Sequence, residues 1–166
     1  MTLPKTISQN QKVNESGFIN KVNKKLSSKI YKWKINDSYH NGVPDTYYAG
    51  PGAFCFVEYK YKAKLPVRGT SKINFGLSIQ QELWLNIQKE FNIPVFVIAG
   101  CENKLVCLQT DFKKCNIFTR DTFLKEAIDF QDLINLLNIH CLGGTQGLGE
   151  THVSKESGIL QKLLRQ

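Results

Sequence analysis

The chain has 166 residues and a formal net charge of +8, with 42% hydrophobic and 22% charged residues; these are values of one ordinary globular domain with enough chain for a core. No apolar run approaches the roughly 20 residues of a membrane span, and the opening Met1-Thr2-Leu3-Pro4-Lys5 lacks a signal-peptide core. Five widely spread cysteines argue against a disulfide framework and for reduced thiols in a cytoplasm, and the absence of Cys-x-x-Cys or paired histidines argues against structural zinc.

Residues 1–12 read as a basic, flexible N-terminus, and 13–141 as the folded domain. Phe18, Ile19, Val22 and Leu26 form an apolar stripe at helical spacing, which predicts a helix over 14–28 with Asn14 as its cap. Glu15 falls on the core-facing side of that helix, where a carboxylate is costly unless paired or bound to metal. It also lies in the first turn, where an acid complements the helix dipole, so both readings stand. The first 35 residues are rich in lysine, with Lys21, Lys24 and Lys25 on the helix and Glu15 the sole acid. Lysines neutralise phosphates without reading sequence, so this group is expected to face DNA. Tyr31 and Trp33 interleave Lys32 and Lys34 in a predicted strand over 30–36, where Trp33 is expected to enter the core. His40 is expected as a solvated loop histidine.

The next segment carries the most chemistry. Two runs, 43–48 and 53–61, read as strands around the turn cluster Ala49-Gly50-Pro51-Gly52. A hairpin brings Asp45 opposite or close to Glu58. Alternation puts Phe56, Glu58 and Lys60 on one strand face and Cys55, Val57 and Tyr59 on the other. Two carboxylates and a lysine are the minimum set for metal-dependent phosphodiester cleavage. Asp45, Glu58 and the Tyr59 carbonyl would supply oxygen ligands to Mg2+, with Mn2+ able to substitute. Lys60 would orient water or stabilise phosphorane charge. The plainer alternative is a turn at Pro44-Asp45 and an ordinary same-face pair at Glu58 and Lys60.

A basic loop follows over 63–75, with Lys62 before it and Lys64, Arg68 and Lys72 within it. Residues 78–91 then read as a helix, in which Ser78 and Gln81 form a capping box. Strands are predicted over 94–99 and 104–109, joined by a turn at Glu102-Asn103. Residues 119–128 and 130–139 read as helices. The segment 142–158 reads as a flexible linker, and Ile159, Leu160, Leu163 and Leu164 end the chain with an apolar stripe that could dock back, pair with another chain or bind a partner. The whole is an α/β pattern, a mixed four- to five-stranded sheet flanked by helices.

The order Gly42-Val43-Pro44-Asp45, Phe56-Val57-Glu58-Tyr59-Lys60, Leu77-Ser78…Gln81…Trp84-Leu85 and Ile93-Pro94-Val95-Phe96-Val97-Ile98 resembles the PD-(D/E)XK nuclease superfamily. Within it, the chain is most similar to the VRR-NUC type of small phage and replication-repair nucleases, over about residues 12–108. The resemblance implies a restriction-endonuclease-like core and a Mg2+-dependent nuclease acting on branched or duplex DNA, of which a Holliday junction is one candidate. It further implies Asp45 and Glu58 as metal ligands, Lys60 as the catalytic lysine, Gln81 as a supporting glutamine and Glu15 as the acid of the first helix. Such a substrate would suit a homodimer. Two other classes remain: a module that keeps this fold without its chemistry, and a basic RNA- or single-strand-binding protein.

Overall fold

The structure, a computed structural model, describes residues 14–37 and 39–143. The N-terminal extension over 1–12 and the C-terminal stripe of Ile159, Leu160, Leu163 and Leu164 lie outside the described residues. Helix α1 (Glu15–Lys25) is followed by strands β1 (Tyr31–Lys34), β2 (Thr46–Ala49), β3 (Phe54–Lys62) and β4 (Lys72–Ile73). Then come α2 (Ile79–Glu90), β5 (Val95–Cys101), β6 (Lys104–Leu108), a 3-10 helix (Phe112–Asn116), β7 (Phe118–Thr119), α3 (Arg120–Glu126), β8 (Ile128–Asp129) and α4 (Phe130–Leu142).

One mixed sheet runs in the order β1-β2-β3-β5-β6-β8. The β2–β3 hairpin is antiparallel and pairs Thr46 with Val57. The β3–β5 pair is parallel, with Glu58 beside Val97, and α2 makes the crossover between them. Each sheet face carries its own core. On one side Cys55, Val57, Tyr59 and Ile98 meet Phe18 and Val22 of α1 and Leu133 and Leu137 of α4. On the other, Val95, Val97 and Ala99 meet Leu85 of α2 and Phe112, Phe118 and Phe123. The strand alternation expected for β3 is thus realised, with Glu58 and Lys60 on the α2 side.

The hairpin turn is clamped by α4. The carbonyl of Cys141 accepts from Gly52 N at 2.9 Å and from Ala53 N at 3.2 Å. A side chain at Gly50 or Gly52 would collide with the backbone at this helix end. Two tyrosines fix α1 over the same strands: the Tyr59 hydroxyl bonds that of Tyr48 at 3.0 Å, and Tyr48 donates to Asn23 Oδ1 at 2.7 Å.

Several expectations change. The sheet has six strands rather than four or five, because Ile128, predicted to end a helix, and Asp129 after it pair with Leu105 and Lys104. Ala127 is extended and stops α3 before them. The basic loop contains β4, which pairs with β7 in a small second sheet. Trp33 does not enter the core. It is 51% exposed and Tyr31 63%, since β1 is the edge strand and their face of it is not covered by a helix. His40 is exposed and contacts Asp37 at 3.0 Å. All five cysteines are free and buried. Among the described residues, no helix is long and apolar enough to cross a membrane.

Candidate active site

The site forms where β2 ends and β3 continues. In an extended strand the N–H and C=O of one residue point to the same edge. Even-numbered residues of β3 face β5, as the Phe56 N bond to Pro94 O shows. Odd-numbered ones face β2, where Val57 O accepts from the Thr46 hydroxyl at 3.2 Å. Beyond Thr46 there is no β2 left to pair with, so the edge at Tyr59 and Tyr61 is open. Side chains fill it: Asp45 Oδ2 accepts from Tyr59 N at 2.9 Å, and Glu15 lies near enough to the Tyr61 N–H for that dipole to favour its charged form. The Tyr59 carbonyl points to the same edge as Asp45 by the same parity.

Asp45 is itself held from both sides. Its carbonyl accepts from Ile35 N at 2.8 Å. Gly42, three residues earlier, has φ +90°, and a Cβ there would strike the carbonyl of Gln80 in the first turn of α2. The absent side chain lets the 42–45 segment lie directly on the helix that carries Gln81. Gly42→Ala combines a left-handed backbone with that collision. It is expected to cost about 2 kcal/mol and to lower Tm by roughly 4–8 °C, readable by thermal denaturation. An unchanged Tm would show that the segment is not seated this way.

Glu58 is fully buried on the α2 side of β3. Its Oε1 receives Lys60 Nζ at 2.6 Å and Gln81 Nε2 at 2.5 Å. Its Oε2 is buried and, among the described residues, has no hydrogen-bond partner. Burial and the negative charge of Asp45 push the Glu58 carboxyl up to about 7, against the pull of Lys60. For Lys60 burial acts downward, but Glu58, Glu15 and Asp45 together outweigh it and hold the ammonium above its ordinary value. The ion pair favours both charges and burial opposes both. Glu58 is the strained member, because it is wholly enclosed and half-partnered, while Lys60 has three carboxylates around it and stays charged. Burial also raises Glu15, with Lys60 countering and Asp45 adding to the rise.

Gln81 serves two purposes at once. Its Oε1 accepts from Ser78 N at 3.0 Å and completes the capping box, while its Nε2 holds Glu58. The capping box expected from the sequence and the contact with Glu58 are thus made by one side chain. Asn116 is a contributor the sequence did not reveal. Its Oδ1 accepts from Gly76 N and Leu77 N at 3.0 and 2.9 Å, and its Nδ2 donates to Leu77 O at 2.7 Å. It thereby fixes the entry into α2 from 39 residues away in sequence, a contact no local pattern encodes.

Asp45, Glu58, Lys60, Gln81 and Glu15 are therefore neighbours. Among the described residues no three His, Cys, Asp or Glu side chains form a ready-made ion cage. Mg2+ does not require one, as it commonly takes one or two carboxylates and keeps several waters. The buried, unpartnered Oε2 of Glu58, with Asp45 and the Tyr59 carbonyl at the adjoining edge, is a donor set that fits such an ion. The seven cations expected to meet nucleic acid, Lys21, Lys24, Lys25, Lys62, Lys64, Arg68 and Lys72, are all exposed. Lys62 lies on β3 two residues beyond Lys60, on the same strand face.

No family model matches the chain, and no curated protein does. Among solved structures, one that is similar is Hjc of Archaeoglobus fulgidus, a Holliday junction resolvase from an archaeal hyperthermophile. The likeness has a TM-score of 0.46 and 12% sequence identity, and covers 72% of this chain and 94% of that one. At that level neither a fold family nor an activity passes from one chain to the other.

Proposed function

We propose that this protein is a metal-dependent nuclease that hydrolyses DNA phosphodiester bonds, built on a restriction-endonuclease-like, PD-(D/E)XK core. The observation that carries the reading is the meeting of Asp45, Glu58 and Lys60 at an open strand edge, with one Glu58 oxygen buried and unpartnered. A carboxylate kept in that state is costly unless a cation completes it. Asp45, Glu58 and the Tyr59 carbonyl would hold Mg2+, or Mn2+ in its place, and the ion when bound acidifies water and neutralises phosphate charge.

The chain's own groups do the rest. Lys60 keeps its protons because three carboxylates surround it, and presents a fixed positive charge where the phosphorane gathers negative charge. Gln81 is a positioning residue: it fixes the Glu58 carboxylate from the first turn of α2. Glu15, raised by burial, would accept a proton from the attacking water. The water oxygen bonds to phosphorus as the bond to the ester oxygen breaks, and that oxygen leaves as a hydroxyl with a proton from solvent. Lys21, Lys24, Lys25, Lys62, Lys64, Arg68 and Lys72 would bind backbone phosphates without reading bases. Selectivity would then rest on DNA structure, with branched substrates such as a Holliday junction the leading candidates. The motif order supports a place beside small phage and replication-repair nucleases of the VRR-NUC type, acting in a bacterial or phage-infected cytoplasm.

The test is cleavage of labelled duplex, single-stranded, flapped and four-way-junction DNA, with Mg2+, with Mn2+ and with chelator. Cutting that requires the ion is expected, and the preferred substrate would define the role. Tight binding without cutting of any substrate would reject the nuclease and leave a nucleic-acid-binding module.

A further inference from the structure

On the sheet face opposite Glu58 and Lys60, the end of β3 and the start of β6 border a cavity of about 130 Å³. Its walls are Phe18 of α1, Tyr61 of β3, Leu105 of β6 and Phe130 at the start of α4. The Phe18 and Tyr61 rings are stacked at 5.2 Å, and Phe130 meets Phe18 edge-on at 6.4 Å. Lys21, Glu102 and Asn103 are exposed and form the rim. Two backbone features shape it. Gly100 lies between Tyr61 and Leu105 in the sheet, and a Cβ there would stand 3.0 Å from a side-chain carbon of each. A glycine inside a strand weakens it and marks a close approach. Here the missing side chain lets both walls lie low on the sheet and leaves the space above them open. Glu102 has φ +56° at the first position of the turn between Cys101 and Lys104, a place usually held by glycine or asparagine. Such strain persists where the surroundings call for a particular side chain. The Glu102 carbonyl accepts from the Tyr61 hydroxyl at 3.4 Å and so fixes the outer edge of that wall.

We propose, resting on the nuclease reading for the class of ligand, that this cavity is a nucleobase site that seats one pyrimidine of the bound strand and prefers cytosine to thymine. Size fits a single ring: an apolar cavity of about 150 Å³ holds benzene, and the open, polar rim leaves sugar and phosphate outside. The aromatic walls offer ring faces and edges against which a base packs. Position fits as well, because the elements that wall the cavity also build the site. Phe18 follows Glu15 by one turn of α1, and Tyr61 directly follows Lys60 in β3. A base held here belongs to a nucleotide close to the bond that is cut.

The rim groups divide the recognition between them. The Lys21 ammonium lies 4.5 Å from the centroid of the Phe130 ring, which keeps it at the mouth of the cavity, where the phosphate of the seated nucleotide passes. The Glu102 carboxylate is an acceptor only. One of its oxygens accepts from Leu65 N, in the basic loop, at 3.4 Å, and a carboxylate has lone pairs beyond that one for an amino group. Cytosine presents an amino group where thymine, also a single ring, presents a carbonyl oxygen, so the carboxylate attracts the first and repels the second. The Asn103 amide, donor and acceptor together, suits the ring positions beside that group.

The test is binding in chelator, which is independent of whether the protein cuts DNA. Labelled oligodeoxycytidylate, oligothymidylate and an abasic strand of equal length and phosphate count are titrated by fluorescence anisotropy. Wild type is expected to bind oligodeoxycytidylate about 10-fold tighter than the abasic strand and about 5-fold tighter than oligothymidylate. Leu105→Phe fills the cavity and is expected to bind all three strands alike. Glu102→Gln offers a donor as well as an acceptor and is expected to bind the two pyrimidine strands alike, both still ahead of the abasic one. Circular dichroism confirms that Leu105→Phe is folded, and Phe130→Ala, which removes one wall, replaces it if it is not. Equal wild-type affinity for base-bearing and abasic strands would overturn the proposal whatever the protein cuts, and so would equal affinity for the two pyrimidine strands or no binding of any strand at about 100 µM protein. A preference for bases that Leu105→Phe leaves intact would overturn it in favour of exposed rings elsewhere. The expected preferences in a protein that cuts no DNA would uphold the base site and reject the nuclease.

Discussion

Lys60→Ala is expected to lower the cleavage rate by at least about 10³-fold while DNA binding persists. Two losses combine. The fixed positive charge opposite the phosphorane disappears, and Glu58 loses the partner that lies 2.6 Å from its Oε1. Lys60 is what keeps the Glu58 carboxyl from rising beyond about 7. Without it, burial and Asp45 act unopposed, and at neutral pH Glu58 is held as the neutral acid, a poor metal ligand. The residual rate of Lys60→Ala should therefore climb more steeply between pH 7 and 9 than the wild-type rate does, as Glu58 regains its charge. Single-turnover cleavage over that range, with gel-shift binding in chelator, reads both effects. Wild-type rates in the variant would remove Lys60 from the chemistry altogether.

The parts of this site that are legible in the sequence are those set by short-range geometry. Strand alternation fixed Glu58 and Lys60 on one face. The Ala49–Gly52 turn fixed a hairpin whose register, Thr46 to Val57, carried one step further brings Asp45 level with Glu58. The Ser78–Gln81 spacing announced the start of α2. What stayed hidden depends on which surfaces meet. Trp33 has the composition of a core residue, but whether an edge strand is covered depends on how far α2 reaches across the sheet. Asn116 clamps Leu77 from a 3-10 helix whose position is set by packing against the second core. β8 is two residues long and exists because Ile128 finds Leu105, a long-range pairing that a local helical pattern outweighs in any reading of the chain alone. Gly42 is intermediate: its place in the Gly-Val-Pro-Asp motif is visible, but its closeness to Gln80 is a tertiary fact.

Glu58→Gln should separate stability from chemistry, because the two make opposite demands on this carboxylate. The glutamine keeps an oxygen for Lys60 and Gln81 but removes the buried charge. The folded-state value of about 7 lies above the ordinary 4.5, so folding takes up a proton between those two values. The stability that comes from holding this proton is complete below about pH 4.5 and is lost as pH rises through about 7, at most about 3 kcal/mol in all. Glu15, also raised, acts with the same sign. Metal-free wild type is thus expected to lose Tm steadily from pH 5 to pH 7.5, and Glu58→Gln to lose distinctly less and to be the more stable of the two at pH 7.5. A divalent cation reverses the comparison. It binds the ionised carboxylate of the folded state, so Mg2+ or Mn2+ should raise the wild-type Tm and flatten its pH dependence, while Glu58→Gln gains little and does not cut DNA. Thermal scans from pH 5 to 8, in chelator and in Mn2+, decide the matter. A variant less stable than wild type in chelator at pH 7.5 would show that the Lys60–Glu58 ion pair outweighs the cost of burying it. A variant stabilised by metal as strongly as wild type would remove Glu58 from the ligand set, leaving its unpartnered oxygen without a chemical purpose.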